Sequence, residues 1–448
     1  GPFPNTFGEW AIYNPLGASS SGGLCELFYN GKRMHLSRYP NHDLTDETLT
    51  TNLKMNGVVA GADVAGTGYL NAAGNYTTSN GSVMAVGGAF QYNTSDAAHV
   101  ARWQTAMTKG GVWVVGYWRV PWQVNGAKVG ILDTGAKQVI GLASGVNISN
   151  GIGYKYSRPV GNKAEPWWVI NLLEELDQPG EWCIDFSRNK LYFLMDAAGA
   201  PANNSVALSD LGSAMVQITG SYVNIQGITF EYGLGQGVQV TGGSRNLVTG
   251  CTFRNMGGYP VEFNNISGGT YNGVVSCDMS NLASGGVLVR GGNNTLTPRV
   301  PTNNFVVNNR IQDFARVVRV YAAAVDVGFQ YGKPAVGVRV AHNAVSGSPH
   351  VGMLWKDYDH VFEYNDISDY CQFSDDMGGI YTFASNYVSN TTIRYNYLHD
   401  SDHGEGVYFD SDHINATVYG NVANLKTLST ESRGYGFYDQ VPGGTPAS

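Results

Sequence analysis

The chain is poor in charge, and several common kinds of sequence signal are missing from it. Only 14% of its 448 residues are charged, against about 25% in an average domain. The 27 Lys and Arg form no cluster and are outnumbered by 35 Asp and Glu, which argues against a nucleic-acid-binding surface. No run of about 18 apolar residues occurs, so the sequence predicts no membrane-spanning helix. Aromatic residues reach 12%, enough for a core, so a disordered chain is excluded.

Cysteine chemistry is also weakly represented. The five Cys are widely spaced, without a CxxC pair or zinc-ligand spacing. We expect buried free thiols, with one disulfide as the alternative. No G-x-S-x-G motif is present and Cys371 has no identifiable His partner, so nucleophilic Ser or Cys catalysis gains no support.

Glycosylation sequons favour a secreted, extracellular glycoprotein. They begin at Asn75, Asn80, Asn93, Asn147, Asn203, Asn265, Asn293, Asn390 and Asn415. The sequence opens Gly1-Pro2 without an initiator Met or a signal peptide, so we expect the natural start to lie upstream.

Glycine is abundant, at 59 residues without a G-X-Y period, which indicates a β-rich chain with many tight turns. The composition changes near residues 205–220, since eight of nine Trp precede residue 190 and six of nine His follow residue 340. The front half predicts strands at Val112–Val115 and Lys190–Leu194, a hairpin turn at Asn30-Gly31 and one helix at Ala97–Lys109.

The back half contains an internal repeat that predicts the fold. Short apolar segments separated by Asn, Gly or Asp turns recur every 22–34 residues, a spacing typical of the coils of a parallel β-helix. One apolar residue marks each coil: Phe230, Phe253, Met279, Ile311, Val345, Ile367, Leu398 and Val422. A recurring Asn predicts a hydrogen-bonded ladder between coils: Asn309, Asn343, Asn365, Asn396 and Asn421. Strand-crossover chirality favours a right-handed helix.

Acidic residues concentrate between residues 357 and 412, which contain twelve of the 35 Asp and Glu. When Tyr381 is aligned with Tyr408, Asp376 precedes one strand and Asp410 ends the equivalent strand on the next coil. Glycoside hydrolysis needs such a pair, in which one carboxyl group protonates the leaving oxygen and the other is the nucleophile or base. The candidate substrate-binding residues are His350, Trp355, Lys356, His360, Asp375, Tyr381, His399 and Tyr408.

Two other activities remain open for this segment. A polysaccharide lyase or uronate epimerase would need a Tyr, His or Lys base and a cation that holds the uronate carboxylate. A non-catalytic carbohydrate-binding protein would use the same cleft without turnover. No cofactor is expected. Calcium is the alternative, because Asp375, Asp376, Asp400 or Asp402 could supply ligands, although no ordered pattern such as an EF-hand loop is present.

Several segments resemble secreted β-helix carbohydrate-active enzymes. They are Glu26–Asn41, Gly116–Trp122, Leu172–Trp182, Asn255–Val261, Ser348–His350, Asp359–Asn365 and Asp376–Tyr381. Over nearly its whole length the chain looks like β-helix glycoside hydrolases of the β-xylosidase and α-L-fucosidase kinds. The resemblance implies an all-β chain and places the acid/base and nucleophile carboxylates at Asp376 and Asp410. Phe373 stands where the family has Glu, and Tyr408-Phe-Asp-Ser-Asp replaces Tyr-Leu-Asp-Asp, so the substrate is not carried over.

The resemblance also implies three parts: a β-helix entry segment at residues 1–44, an inserted β-sandwich-like domain at 45–205, and a right-handed parallel β-helix with the catalytic cleft at 206–448. Relatives have further coils before the segment at Glu26, and an open β-helix end exposes unpaired edges. We therefore expect a second chain or a cleaved N-terminal segment to cap this end. The expected substrate is a polysaccharide or oligosaccharide, with neither a nucleic-acid nor a membrane partner.

Overall fold

The structure, a computed structural model, forms two compact units that divide between Ala207 and Leu208, with Cys25 and Glu26 assigned to the second unit. It describes residues 25–41, 52–58, 75–77, 83–109, 111–117, 122, 124–142, 166–185, 187–196, 202, 205–265, 269–329, 334–383, 388–401, 403–410, 414–426 and 434–440.

The first unit is built on an antiparallel sheet around a Trp-rich core. Its strands follow in the order Arg38–Tyr39, Pro166–Ile170, Trp113–Gly116, Asn125–Asp133, Gln138–Leu142, Val83–Gln91 and Gly57–Val58, with Leu53–Lys54 beside Pro166–Ile170 and Asn75–Thr77 beside Val83–Gln91. The helix Ala97–Lys109 contributes Trp103 to a core that also contains Phe90 and Trp167. The predicted helix is therefore confirmed.

Smaller elements complete this unit. Leu27–Tyr29 and Lys32–Arg33 form the predicted hairpin, whose turn residues Asn30 and Gly31 have φ values of 50° and 77°. The remaining strands are His35–Leu36, Glu181–Asp185 and Lys190–Phe193, which form one sheet, and Val206–Leu208 at the unit boundary. Among the residues that the structure describes, 3₁₀ turns span Thr94–Asp96 and Leu173–Glu175.

The second unit contains three long parallel sheets. The strands of the first sheet are Val216–Ile218, Val238–Val240, Val261–Asn265, Val287–Gly291, Val325–Val327, Met353–Trp355, Gly378–Phe383, Glu405–Asp410 and Phe437–Gln440. Those of the second sheet are Asn224–Gln226, Leu247–Thr249, Gly273–Val275, Phe305–Val307, Arg339–Ala341, Val361–Glu363, Val388–Arg394 and Ile414–Tyr419. Those of the third sheet are Thr229–Glu231, Thr252–Arg254, Asp278–Ser280, Arg310–Gln312, Ala344–Ser346, Asp366–Ser368, Tyr397–His399 and Val422–Asn424.

Each coil contributes one strand to each sheet, and the alternation of side chains places every second residue in the core. The predicted coil-marking residues from Phe230 to Leu398 occupy the buried middle of the third-sheet strands. The prediction is wrong at the last coil, where Ala423 rather than Val422 pairs with Leu398. Val422 is 58% exposed. The reason is that Gly420, not Tyr419, occupies the turn position equivalent to Tyr395, which shifts the register by one residue.

The predicted Asn ladder is confirmed. The Asn343 side chain accepts a hydrogen bond from the Asn309 backbone N–H at 3.0 Å, and its amide donates to Asn365 Oδ1 at 3.0 Å. Asn365 repeats this arrangement with Asn396, which repeats it with Asn421. The amide side chains thus satisfy the backbone groups of the turns between the second and third sheets, which would otherwise be buried without partners.

All five Cys are free and buried, as the wide spacing predicted. Burial raises the pKa of the Cys25 thiol to about 11, so this group is an inert core residue rather than a nucleophile. No helix among the described residues combines the length and apolar character needed to cross a membrane.

Candidate active site

The outer face of the first sheet carries a continuous row of side chains that alternates with the apolar inward row. Because the strands pair in register, equivalent residues of successive coils stand side by side, about 4.8 Å apart. This outer row consists of Gln217, Gln239, Glu262, Leu288, Asp326, Leu354, Tyr381, Tyr408 and Tyr438. The candidate carboxylates lie at the Tyr381–Tyr408 end of the row.

The two tyrosines cross-connect the two candidate carboxylates. Tyr381 and Tyr408 pair in register on neighbouring strands, with ring centroids 5.2 Å apart in an edge-on arrangement. The Tyr381 hydroxyl donates to Asp410 Oδ2 at 2.6 Å, and the Tyr408 hydroxyl donates to Asp376 Oδ1 at 2.9 Å. Each tyrosine therefore holds the carboxylate supplied by the other coil, so the pair lies on opposite sides of the two rings.

The two carboxyl groups have different surroundings. Asp376 is exposed at a turn with a φ of 63°, whereas Asp410 is half-buried at the end of its strand. Burial raises the pKa of Asp410, and the charge of Asp376 raises it further, against the opposing hydrogen bond from Tyr381. This difference in environment suits two different roles for the two carboxyl groups.

The tyrosines themselves are not available as bases or as stacking platforms. Both rings are 1% exposed, and Tyr381 packs against Phe329, which follows the strand Val325–Val327. Burial together with the nearby acidic groups raises the pKa of Tyr381 well above its ordinary value. Tyr381 therefore acts here as a neutral hydrogen-bond donor, and its role differs from the expected sugar stacking.

Asp375 and Lys356 lie at opposite ends of neighbouring parallel strands of the first sheet, Asp375 before Gly378–Phe383 and Lys356 after Met353–Trp355. Asp375 is partly buried, and His403 Nδ1 lies 3.2 Å from its Oδ1 atom. Lys356 follows the strand Met353–Trp355 and is partly exposed. In the next strand Phe383, which is 46% exposed, pairs with Asp410. An exposed ring thus stands beside the half-buried carboxyl group.

Two of the predicted histidines are structural. His350 and His360 are fully buried, and burial lowers their pKa values to about 3 and about 4. His350 Nδ1 accepts a hydrogen bond from the Tyr321 N–H, and His360 Nδ1 accepts one from the Val338 N–H. Both rings are therefore held neutral inside the coils.

Trp355 and His399 do not reach the carboxylate pair. Trp355 is fully buried and packs against Phe362 and Phe409 in the core, because its place in the strand puts it on the inward face. His399 lies on the third sheet, where it bonds Asp366 and Asp400. Burial alone would lower the pKa of His399, but these two carboxylates outweigh it and raise the pKa.

The residues suggested for calcium are also separated. Asp400 follows the third sheet and pairs with His399 and Lys426, away from Asp375 and Asp376 on the first-sheet side, and Asp402 lies outside the described residues. Within the described ranges no three His, Cys, Asp or Glu side chains gather closely enough to hold a metal ion.

A buried polar cluster farther along the outer row did not enter the sequence-based predictions. Glu262 is fully buried, accepts hydrogen bonds from Gln236 and Gln239, and forms an ion pair with Arg290. The sequence signal for this cluster was a polar residue at the second position of the first-sheet strand in successive coils. It was recognisable only once the inward and outward rows had been assigned.

Comparison with known proteins supports the fold. Residues 214–424 match the sequence family described as a right-handed β-helix region. The second unit is a right-handed parallel β-helix. A solved structure titled glycoside hydrolase is similar over 94% of this chain and 79% of its own, with 13% identity and a TM-score of 0.60, a likeness that concerns the fold alone. The predicted fold class is confirmed. No curated protein sequence matches the chain.

Two other solved structures align with lower scores. An alginate lyase from Paenibacillus sp. str. FPU-7 aligns over 48% of this chain and 76% of its own, at 18% identity and a TM-score of 0.37. A mutant tailspike protein of E. coli bacteriophage HK620, in complex with a pentasaccharide, aligns over 46% of this chain and 47% of its own, at 12% identity and a TM-score of 0.29.

Proposed function

We propose that the chain is a glycoside hydrolase that cleaves a polysaccharide or oligosaccharide with Asp376 and Asp410. The observation that supports this most directly is the pair of carboxyl groups on successive coils, each held by the tyrosine of the other coil. The β-helix also has the fold of the solved structure titled glycoside hydrolase. That likeness is compatible with the proposal, while the roles of the residues rest on their geometry.

Asp410 is the proposed general acid. Its partial burial and the charge of Asp376 raise its pKa, which keeps more of the group protonated near neutral pH. As the glycosidic C–O bond breaks, Asp410 donates its proton to the leaving oxygen. This proton transfer is the step for which glycosidases need a carboxylic acid with a raised pKa.

Asp376 is the proposed nucleophile or base. It is exposed and accepts a hydrogen bond from Tyr408 at 2.9 Å, which orients its carboxylate. It either attacks the anomeric carbon or removes a proton from the attacking water. Tyr381 and Tyr408 are positioning residues, since each orients one carboxylate through a single hydrogen bond.

A lyase or epimerase would need a side chain that is free to remove a proton from a uronate. His350 and His360 are buried and neutral, and the hydroxyls of Tyr381 and Tyr408 are engaged with carboxylates. Lys356 is partly exposed and stays a candidate base, so the experiment below distinguishes proton abstraction from hydrolysis.

The experiment is a panel of polysaccharides incubated with the wild-type chain and followed for two products. We expect new reducing ends without the absorbance near 230 nm that an unsaturated lyase product gives. Asp376→Asn and Asp410→Asn should each lower kcat at least about 1,000-fold, since each removes one of two cooperating groups.

The matched control is Asp278→Asn, which changes an exposed Asp of the third sheet paired with Arg310. It should keep the wild-type rate, because an exposed ion pair contributes about 1 kcal/mol or less to stability. Wild-type turnover in both Asp376→Asn and Asp410→Asn, or an unsaturated product, would contradict the proposal. Binding without any turnover would indicate a carbohydrate-binding protein.

The proposal includes an extracellular location, which the sequons support, and a covering segment or second chain at the first coil. An uncovered β-helix end would be prone to pairing with other chains. Light scattering after removal of N-linked glycans checks the second chain: a complex heavier than the 48.1 kDa of one polypeptide is expected for protein isolated from its source.

A further inference from the structure

A second groove lies on the outer face of the second sheet, away from the carboxylate pair on the first. Its volume is about 950 Å³, at the upper end of the range of about 300–1,000 Å³ typical of small-molecule sites. The floor is formed by outward residues of three successive strands, Phe305, Arg339 and Val361. One wall is the loop from Asn294 to Arg299, which is closed at its base by pairing between Asn293 and Val300.

The groove is rich in amide side chains. Asn294, Asn303, Asn304 and Asn390 all line it. Each primary amide offers donors and an acceptor, and sugar hydroxyls can satisfy both. Tyr271, which also lines the groove and is 47% exposed, supplies an aromatic surface of the kind on which sugar rings pack.

One of these amides has unused hydrogen-bonding capacity. Asn304 is fully buried, and its Oδ1 atom accepts a hydrogen bond from the Asn272 N–H at 2.8 Å. Its Nδ2 atom has no hydrogen-bond partner among the described residues. In the neighbouring coils, the equivalent amides of Asn246 and Asn272 donate to backbone carbonyls. A buried donor without a partner is costly, so a small movement of this side chain towards the groove would let a ligand hydroxyl relieve that cost.

The two arginines that line the groove, Arg299 and Arg339, both form ion pairs. Arg299 lies 3.9 Å from Asp359 and stacks on the ring of Tyr358. Arg339 is held by Glu363, with a 2.7 Å ion pair. Glu363 is shared with Arg394, but both arginines of the groove are engaged by a carboxylate, which weakens their attraction for a uronate or a phosphate.

From these observations we propose that this groove is a second carbohydrate-binding site, which takes a short stretch of a neutral oligosaccharide. It would hold a polymer on the second-sheet face while hydrolysis takes place on the first-sheet face. The site is independent of turnover, so binding can be tested whether or not the proposed reaction is correct.

The test uses the full chain, made in a bacterial host so that no N-linked glycan occupies the sequon at Asn390. It carries Asp376→Asn and Asp410→Asn, so that no probe is consumed. Isothermal titration calorimetry is performed with xylohexaose, cellohexaose and mannohexaose as neutral probes and with hexagalacturonate as the acidic probe. We expect at least one neutral hexasaccharide to bind, and the acidic one to bind at least tenfold more weakly.

The groove variant is Tyr271→Asn, and its matched control is Tyr222→Asn. Both tyrosines are exposed and precede a second-sheet strand, with φ values of 60° and 63°. Asn tolerates this left-handed conformation, so both variants should fold alike. We expect Tyr271→Asn to weaken the neutral probe about tenfold or to remove one bound equivalent, and Tyr222→Asn to change the affinity less than twofold.

A second variant, Asn390→Gly, removes an amide from the groove at a left-handed position and should weaken the same probe. Thermal unfolding of each variant checks that the fold is kept. The proposal is overturned if no neutral probe binds, if only the acidic probe binds, or if Tyr271→Asn and Asn390→Gly both bind as the control does.

Discussion

At the scale of single residues, the candidate site depends on two tyrosine hydroxyl groups, each of which donates a hydrogen bond to a carboxylate far away in the sequence. Asp410 is 29 residues from Tyr381, and Asp376 is 32 residues from Tyr408. The geometry is therefore produced by the stacking of coils and not by any local motif. A change at either tyrosine should alter the carboxylate it contacts and leave the fold in place.

Tyr381→Phe tests this through the pH dependence of catalysis. The Tyr381 hydroxyl stabilises the ionised form of Asp410, so its removal raises the pKa of Asp410. A general acid must be protonated, and activity is lost as pH rises through its pKa. The alkaline limb of kcat/KM should therefore move to higher pH in the variant, as measured across a series of buffers.

The control for this variant is Tyr419→Phe, which removes an exposed hydroxyl that bonds Arg394 on the second sheet. Its pH profile should match that of the wild type. A limb that stays in place in Tyr381→Phe, or moves to lower pH, would argue against Asp410 as the acid.

The sequence could predict part of this site, because aligning Tyr381 with Tyr408 was enough to put the two Asp on neighbouring coils. It could not predict that Trp355 faces inward, since a three-residue strand gives too little alternation to separate its two faces. Nor could it reveal that His350 and His360 support turns, because that depends on backbone N–H groups contributed by other segments.

At the scale of the elements, close contact between coils limits which residues the turns accept. Gly227 and Gly243 both have left-handed backbones, with φ values of 67° and 72°. An added Cβ on Gly227 would meet nothing within 4 Å, whereas one on Gly243 would overlap the carbonyl oxygen of Gly220 in the coil before it. The two glycines therefore separate the cost of backbone strain from the cost of crowding.

The prediction compares Gly243→Ala with Gly227→Ala. Gly227→Ala should lower the free energy of unfolding by about 1–2 kcal/mol, the cost of a left-handed conformation for a residue with a Cβ. Gly243→Ala should lower the free energy of unfolding by at least about 1–3 kcal/mol more than Gly227→Ala does, because the added Cβ must push its coil away from the coil before it. Urea unfolding measures both, and equal losses would show that the coils adjust without cost.

The repeat spacing predicted these elements well because every coil must bury one residue of each strand. The repeat spacing could not predict the second-sheet groove. The loop from Asn294 to Arg299 interrupts the repeat, and no sequence pattern indicates how an irregular loop folds.

At the scale of the whole molecule, buried neutral histidines couple the stability of the β-helix to pH. The pKa values of His350 and His360 are lowered to about 3 and about 4 in the folded chain, from about 6.5 when unfolded. The unfolded state therefore binds more protons below pH 6.5, and stability falls as pH falls. Each His should contribute a slope of about 1.4 kcal/mol per pH unit between pH 6 and its folded value.

Urea unfolding at pH 7, 6 and 5 tests this, with His360→Gln as the variant. The variant should be less stable at pH 7, since a buried His with two hydrogen bonds is replaced. Between pH 6 and pH 5, however, its free energy of unfolding should fall less steeply than that of the wild type, by a slope that corresponds to the uptake of about one proton. Replacement of the partly exposed His399 is the control and should not make the decline shallower. An unchanged slope in His360→Gln would show that this ring is protonated in the folded state.

The hydrogen bonds of Tyr381 and Tyr408 to the carboxylate of the neighbouring coil also bear on how much sequence change the site tolerates. Because Asp376 and Asp410 come from successive coils, the backbone hydrogen bonds between those coils set the spacing of the two carboxylates. Turns other than the one that carries Asp376 can then lengthen, shorten or change their side chains without altering the separation of the two carboxylates. Such an architecture can acquire a new substrate preference by exchanging loops while the reacting groups keep their separation.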